Sequence, residues 1–337
     1  MNKSLTEFAF LLSNYFGLLK TQKNLSDNTI ESYRTTFKYL LKFLIEKEKI
    51  PPQRVDINVL TDDVIIKFLE WFEKERNNSL STRNQRLAAI HAFSDIFKSE
   101  KLDKLWLVQK GLNIPYKKSE PKLVEYLDKA VLAKLFQKPD QTTKAGCRDL
   151  TLLCLLYDSG ARVSELCQIK VRDIRLNAPV ILTLHGKGKK IRTVPLMPNT
   201  VELLKKYLKE NALNQRETPE HPLFFNQRNS PLSRSGVRYV MNKYFCLLQE
   251  EFPELSCTVS PHVFRHTKAM HLYQAGIDLI YIRNFLGHTD IKTTEIYAKV
   301  DIERKREALE KAYPEIIPSE FPDWNDDPDL ISRLLNL

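Results

Sequence analysis

The chain has 337 residues, of which 42% are hydrophobic, so it is long and apolar enough for two domains with separate cores. This composition excludes wholesale disorder. The 52 Lys and Arg residues outnumber the 42 Asp and Glu residues, and the net charge of +10 favours attraction to polyanions such as nucleic acid. Charge alone does not distinguish a nucleic-acid-binding protein from one that is merely basic.

No apolar run approaches the roughly 20 residues that a bilayer span needs, and the first residues lack a signal-peptide cleavage pattern. We therefore expect a cytoplasmic protein with no membrane partner. The cysteines are odd in number, scattered and without metal-ligand spacing, so we expect reduced core residues and no metal site. They are Cys147, Cys154, Cys167, Cys246 and Cys257.

Residues 1–110 show the three- and four-residue apolar spacing of helices, which predicts a small helical bundle. Short polar side chains predict helix starts at Ser26 or Asp27, at Thr61 and at Ser81. Two faces of this bundle carry basic and polar groups suited to phosphate contacts, although solvated helix faces would look the same. The candidates are Arg34 and Lys38 on one face, and Thr82, Arg83 and Arg86 on the other.

Residues 111–121 form a polar, proline-flanked stretch without periodicity, which predicts a linker. Lys117 and Lys118 in this stretch are candidate contacts for a duplex. Residues 122–312 mix helical patterns with two alternating segments over 180–196 that predict a β-hairpin, whose turn contains Lys187, Lys189 and Lys190. The expected fold class is therefore mostly α, with a small antiparallel hairpin or sheet in a mixed α+β second domain.

Four short segments carry groups suited to phosphate chemistry. Arg162 follows a glycine turn and opens a helix, and Glu165 shares its helical face. Lys187 stands in a Gly-Lys-Gly turn that lacks the Gly-Lys-Ser/Thr ending of an ATP-binding loop. His262 and Arg265 lie one helical turn apart. In the fourth segment Gly287 ends a helix, His288 and Asp290 follow it, and Tyr297 lies two turns into the next helix.

The order Arg, Lys, His-x-x-Arg, Gly-His, Tyr, with these spacings, resembles the catalytic signature of the tyrosine recombinase (phage integrase) family. The resemblance is strong over about residues 120–310 and weaker over the helical amino-terminal part. Departures are mild: Phe264 replaces a frequent Leu, and Ala298-Lys299 follows the tyrosine where Thr-His is frequent. None of them removes a catalytic group.

The resemblance implies a core-binding (SAM-like) domain, a catalytic domain, and DNA cleavage through a 3′-phosphotyrosyl bond on Tyr297 without a cofactor. Arg162 and Arg265 would bind the non-bridging oxygens, and Lys187 would protonate the leaving 5′ oxygen. His262 and His288 would assist proton transfer, and Glu165 would orient the site. The partner would be double-stranded DNA with specific sites, bound by a homotetramer on paired sites.

Two alternatives remain open at this stage: a type IB topoisomerase, which relaxes supercoils with the same chemistry, and a DNA-binding protein that keeps the fold without cutting. The size and the amino-terminal bundle favour a simple two-domain recombinase, such as a chromosomal resolvase or the integrase or transposase of a mobile element. The tail over 313–337 ends in a short apolar helix that suits docking on a neighbouring subunit or on its own domain.

Overall fold

The computed structural model describes residues 7–21, 23, 25–100, 114–118, 124–186, 188, 190–213, 216–253, 259–300, 306 and 328–336. The chain divides into two compact units, Met1–Pro121 and Lys122–Leu337. Within the described ranges the structure is mostly helical with one small antiparallel sheet, which confirms the predicted fold class.

The first unit is a helical bundle whose helices begin at capping side chains. The hydroxyl of Ser26 accepts a hydrogen bond from the amide of Thr29, and that of Thr61 accepts one from the amide of Val64, which confirms both predicted starts. The third predicted start, Ser81, is wrong by two residues, because the hydroxyl of Ser79 accepts from the amide of Thr82. The helices are α1 (Glu7–Thr21), α2 (Asp27–Glu46), α3 (Asp62–Lys74) and α4 (Leu80–Glu100).

Aromatic side chains form much of the core of this bundle. The ring of Tyr15 in α1 lies edge-on to Phe37 of α2 and Phe93 of α4, with centroids 5.9 and 5.1 Å away. All three side chains are buried, and burial of a side chain of this size contributes roughly 1.5–3 kcal/mol. These contacts tie α1, α2 and α4 into one layer.

Part of the predicted linker packs on the first unit. Ile114 is buried in the core of the bundle. The amide of Lys117 donates to the side chain of Asn84, whose own amide group donates back to the carbonyl of Lys117. Residues 114–118 are therefore held on α4 and are not a free connector.

The second unit is built around a long buried helix, α6, which packs against α8 and α10. Helix α6 begins at Lys144, where the Thr143 hydroxyl accepts from the amide of Gly146, and it ends at Gly160 with a φ of 56°. The helices of this unit are α5 (Lys129–Gln137), α6 (Lys144–Ser159), α7 (Val163–Leu166), α8 (Pro198–Glu210), α9 (Arg234–Glu251), α10 (Pro261–Gln274), α11 (Leu279–Leu286), α12 (Lys292–Val300) and α13 (Pro328–Leu335).

The sheet has three antiparallel strands in the order β1-β2-β3: β1 (Ile174–Arg175), β2 (Ile181–His185) and β3 (Ile191–Pro195). Strands β2 and β3 are the predicted hairpin, whereas β1 has no counterpart in the sequence prediction. Leu182 pairs with Val194 and Leu184 pairs with Arg192, so the inward face of the hairpin holds apolar side chains and one arginine.

Helices α10, α11 and α12 enclose a second, smaller core in this unit. It consists of Ala269, Met270, Ile282, Leu286 and Tyr297, all of them buried. Asp290 accepts a hydrogen bond from the amide of Lys292 and so caps α12 as predicted. The tyrosine singled out by the sequence is therefore a core residue in this structure.

Two further expectations bear on the surface. Among the described cysteines Cys246 is exposed, against the prediction that all are core residues, because it lies on the solvent side of α9. None of the helices in the described ranges combines the length and the apolar character that crossing a bilayer requires.

Candidate active site

Three arginines converge on the carboxyl end of α11, immediately before His288. Arg192 donates from Nε to the carbonyl of Phe285, at 3.0 Å, and Arg265 donates from Nη2 to the carbonyl of Leu286. Arg162 donates from Nη2 to the carbonyl of Gly287, at 3.4 Å. Three successive carbonyls thus receive three guanidinium groups, at the helix end where the macrodipole favours positive charge.

Glu165 is the carboxylate that holds two of these arginines. Its oxygens accept from the backbone amide of Arg162 at 2.9 Å and from Nη1 of Arg162 at 2.8 Å. They also accept two parallel bonds from Arg192, at 3.0 and 2.8 Å. Burial alone would raise the pKa of this carboxyl, but the bonds from Arg192 and Arg162 outweigh it and lower the pKa to about 2.

Arg265 is buried, although its predicted role requires it to face a phosphate. It is 4% exposed, and Nη1 donates to the carbonyl of Gly160 at 2.6 Å. Burial, and next the charges of Arg162 and Arg192, lower the pKa of its guanidinium. Val263 and Phe264 pack inward as predicted, but Arg265 packs inward with them.

Two histidines are held neutral beside these charges. His288 shares a hydrogen bond of 2.9 Å between Nδ1 and the hydroxyl of Thr294, and His266 shares one of 2.9 Å with the hydroxyl of Tyr297. Burial, followed by neighbouring positive charge, lowers the pKa of each imidazole to about 4. His262, one turn before His266, is exposed.

Tyr297 is buried, with its hydroxyl on Nδ1 of His266. Burial raises the pKa of the phenol to about 12, although the charge of Arg265 acts to lower it. The structure thus brings Arg162, Glu165, Arg265, His288 and Tyr297 together around the carboxyl end of α11. Lys187 and Lys189 lie outside the described residues.

The half-buried imidazoles of His266 and His288 predict a loss of stability in acid. A histidine with a folded pKa near 4 and an unfolded pKa near 6.5 keeps its stabilising contribution above pH 6.5 and loses it as the pH falls toward 4. We expect the free energy of unfolding to fall below pH 6.5 by up to about 1.4 kcal/mol per pH unit for each imidazole. Urea unfolding between pH 7 and pH 5 measures this slope.

His266→Gln and His288→Gln should each reduce that slope. His185→Gln is the matched surface control, at a side chain that is 48% exposed and lies 3.3 Å from a carboxylate oxygen of Asp173. If the free energy of unfolding had the same pH slope in the native protein and in the double variant His266→Gln with His288→Gln, these two histidines would not be the cause of the acid effect.

The candidate DNA contacts on the first unit divide into exposed and engaged side chains. Arg34, Lys38 and Lys118 are exposed. Arg86 turns inward, where Nη1 donates to the carbonyl of Ser32 and to the hydroxyl of Thr36, each at 3.1 Å. Thr82 bonds Ser79, Lys117 pairs with Glu73 at 2.7 Å, and in the second unit Lys190 is exposed.

Arg83 is 5% exposed, against the prediction that it is displayed to DNA. It lies one turn before Leu87 and two turns before Ile90, on the stripe of α4 that faces the core. The physical reason is helical periodicity: side chains four and seven residues apart share one face.

Sequence reasoning missed two residues of the site, Arg192 and His266. Arg192 had a detectable signal, because in the alternation of β3 it shares the inward face with Val194, and an inward arginine needs a carboxylate partner. His266 directly follows Arg265, but its bond to Tyr297 joins residues 31 positions apart, which no local pattern reveals.

In the described ranges, no group of three or more His, Cys, Asp or Glu side chains is arranged to hold an ion. Among the residues that the structure describes, the charged groups at the carboxyl end of α11 are three guanidinium groups and one carboxylate, which leave it net positive. Such a site suits an anion with several oxygens, such as a phosphodiester.

Comparison with known proteins identifies the family of this chain. A family model described as the phage integrase family matches residues 125–304, and one described as the phage integrase N-terminal SAM-like domain matches residues 12–101. The chain is 31% identical over 315 residues to the tyrosine recombinase XerC of Thermodesulfovibrio yellowstonii, which covers 92% of this chain and 98% of that protein. It is 32% identical over 299 residues to XerC of Bacillus subtilis, with coverage of 88% and 93%.

The fold is shared with a solved Tn1549 transposon integrase in complex with transposon right end DNA. The TM-score is 0.70 at 16% identity, and the match covers 90% of this chain and 99% of that one. The two matched family models together span both units, and the sequence identity extends over most of the chain. The chain therefore belongs to the phage integrase family of tyrosine recombinases.

Proposed function

We propose that this protein is a site-specific DNA recombinase that cuts and rejoins DNA through a 3′-phosphotyrosyl intermediate on Tyr297. The observation that carries the proposal is the convergence of Arg162, Arg265 and His288 at the carboxyl end of α11, with Tyr297 in the adjoining helix. Binding to DNA alone would not need a phenol in this position. Family membership supports the same activity.

The residues act on the phosphate in distinct ways. The hydroxyl of Tyr297 attacks phosphorus, a new P–O bond forms to the phenol oxygen, and the bond to the 5′ oxygen breaks. Arg162 and Arg265 stabilise the charge that develops on the non-bridging oxygens. Lys187 supplies the proton to the departing 5′ oxygen, and His262 and His288 bind the phosphate and assist transfer of the phenolic proton away from Tyr297. The freed 5′ hydroxyl of a second strand reverses the reaction, so no external energy source is needed.

The test is to identify the residue that becomes attached to DNA. A random-sequence duplex pool with a nick in one strand traps cleavage, because the short 5′-hydroxyl fragment diffuses away and cannot rejoin. We expect detergent-resistant adducts whose nuclease-trimmed nucleotide lies on the tryptic peptide 293–299, which contains Tyr297. No adducts, or a nucleotide on another peptide, would overturn the proposal.

The duplexes recovered in the adducts also decide between recombination and supercoil relaxation. Placed twice in one plasmid, they should give exchange products whose structure depends on the relative orientation of the two sites. Relaxation of plasmids that carry one site or none, without exchange, would instead indicate a type IB topoisomerase activity. We further propose that four copies act together on two sites, and cross-linking on the paired-site plasmid measures this stoichiometry.

Exposed cations on both units are expected to bind the DNA backbone. Lys38→Ala and Lys190→Ala should each weaken binding to random-sequence duplex and lower the slope of log affinity against log salt by about 1. Lys67→Ala is the matched control, because Lys67 is exposed but pairs with Asp63 at 3.1 Å. Equal slopes for native protein, test variants and control would contradict the assignment of these lysines.

A further inference from the structure

The structure contains an arginine, Arg192, that occupies the site without being placed to bind the substrate. Its side chain is only 12% exposed. Its two terminal nitrogens bond Glu165, and Nε bonds the carbonyl of Phe285. Because Nε and both terminal nitrogens of Arg192 bond protein oxygens, we expect Arg192 to act on DNA through the groups that it contacts.

The first of these groups is the carboxylate of Glu165, which Arg192 shares with Arg162. The carboxylate is buried, and the bidentate pair with Arg192 supplies a full positive charge to it. Without Arg192, Glu165 would have Arg162 as its one remaining cationic partner among the contacts described. The negative charge would then neutralise the guanidinium that the proposed mechanism uses on the phosphate.

The second group is the carboxyl end of α11. The bond from Arg192 to Phe285 adjoins those from Arg265 to Leu286 and from Arg162 to Gly287. A Cβ at Gly287 would lie 3.2 Å from Cδ of Arg192, and Gly287 has a φ of 66°, so this position suits glycine on two counts. Arg192 thereby fixes the backbone from which His288 projects.

We propose that Arg192 is a positioning residue for strand transfer, which neutralises Glu165 so that the charge of Arg162 stays available to the phosphate. This inference rests on the proposed function. It also assigns a role to the inward arginine of the hairpin. Arg192 lies on β3, where it pairs with Leu184 of β2.

The double variant Arg192→Met with Glu165→Gln separates this role from a merely structural one. Arg192→Met alone should lower the rate of adduct formation on the nicked pool on the order of 10- to 100-fold, with DNA affinity little changed. Adding Glu165→Gln removes the buried charge that captures Arg162, so the double variant should recover activity relative to Arg192→Met. Arg192→Lys, which keeps the charge but not the bidentate geometry, should lie between native and Arg192→Met.

Arg175→Met is the matched control, because Arg175 is an exposed arginine of the same sheet that bonds the carbonyl of Pro179. It should leave adduct formation unchanged. Native activity in Arg192→Met, or a double variant no better than Arg192→Met, would overturn the positioning role.

A second measurement does not depend on cleavage. The carboxyl carbon of Glu165, followed by NMR over the pH range in which the chain stays folded, should remain ionised in the native protein and begin to protonate at clearly higher pH in Arg192→Met. Absence of adducts with the native protein would overturn the proposed function. An unshifted Glu165 titration in Arg192→Met would overturn the inference about Arg192 alone.

Discussion

Replacing Tyr297 with Phe is expected to abolish covalent attachment to DNA while leaving the fold and DNA binding in place. Phenylalanine fills the same buried space but lacks the oxygen that would bond to phosphorus. Adduct formation on the nicked duplex pool should fall by a factor on the order of 10⁴ or more, to the background of the assay. Detergent gels of reactions with labelled DNA measure the loss, and filter binding measures the retained affinity.

The structural cost of this change is separable from its chemical effect. The variant loses the hydrogen bond between the Tyr297 hydroxyl and His266, which should cost about 1 kcal/mol of unfolding free energy. Tyr207→Phe is the matched control, because Tyr207 is also buried and its hydroxyl donates to the carbonyl of Leu223 at 2.8 Å. Adducts that persist in Tyr297→Phe, or that disappear equally in Tyr207→Phe, would contradict the assignment.

The bond between Tyr297 and His266 orients the phenol more than it activates it. Burial raises the pKa of the phenol and lowers the pKa of the imidazole, so proton transfer from Tyr297 to His266 is unfavourable. The nearby charge of Arg265 acts to lower the pKa of the phenol, but burial outweighs it. For the proposed attack on phosphorus, we therefore expect the hydroxyl to leave His266 and the phenolate to form against the phosphate and its arginines.

Helical periodicity and capping residues made much of the fold predictable. The glycines that end α6 and α11 adopt positive φ angles of 56° and 66°, a conformation that favours glycine. The start of α6 at Lys144 was not predictable in this way, because its first turns bury Asp149, whose partner Tyr244 lies 95 positions away. A polar first turn carries no apolar periodicity.

The order and spacing of the candidate site residues led to the site hypothesis, but the surroundings of these residues could not be predicted from the sequence. Arg265 projects toward backbone carbonyls at Gly160 and Leu286, which are distant in sequence and have no side-chain signature. The bond from Arg192 to Phe285 spans 93 positions. Local patterns identify which groups can do the chemistry, whereas packing of distant elements determines which of them are exposed, bonded or buried.

Arg265→Met is expected to abolish most activity with little loss of stability. The hydrogen bonds described for Arg265 go to backbone carbonyls, and the charges of Arg162 and Arg192 disfavour its own charge. A guanidinium stays protonated in proteins, so the folded chain holds this charge against burial and repulsion. Methionine removes both costs, which should offset much of the loss of the two hydrogen bonds.

In the proposed mechanism, a phosphodiester binds Arg162 and Arg265 together and places negative charge beside them. Adduct formation by Arg265→Met should fall on the order of 10²- to 10³-fold, while the thermal midpoint stays within about 5 °C of the native value. Inorganic phosphate should raise the thermal midpoint of the native protein and not that of the variant.

Lys268→Met on the same helix is the control, because it breaks a buried pair with Asp158 and should lower stability without this loss of activity. An Arg265→Met variant that is clearly less stable but cleaves at the native rate would contradict the assignment of Arg265 to the phosphate. Arg265 would then stabilise the core and would not bind the substrate.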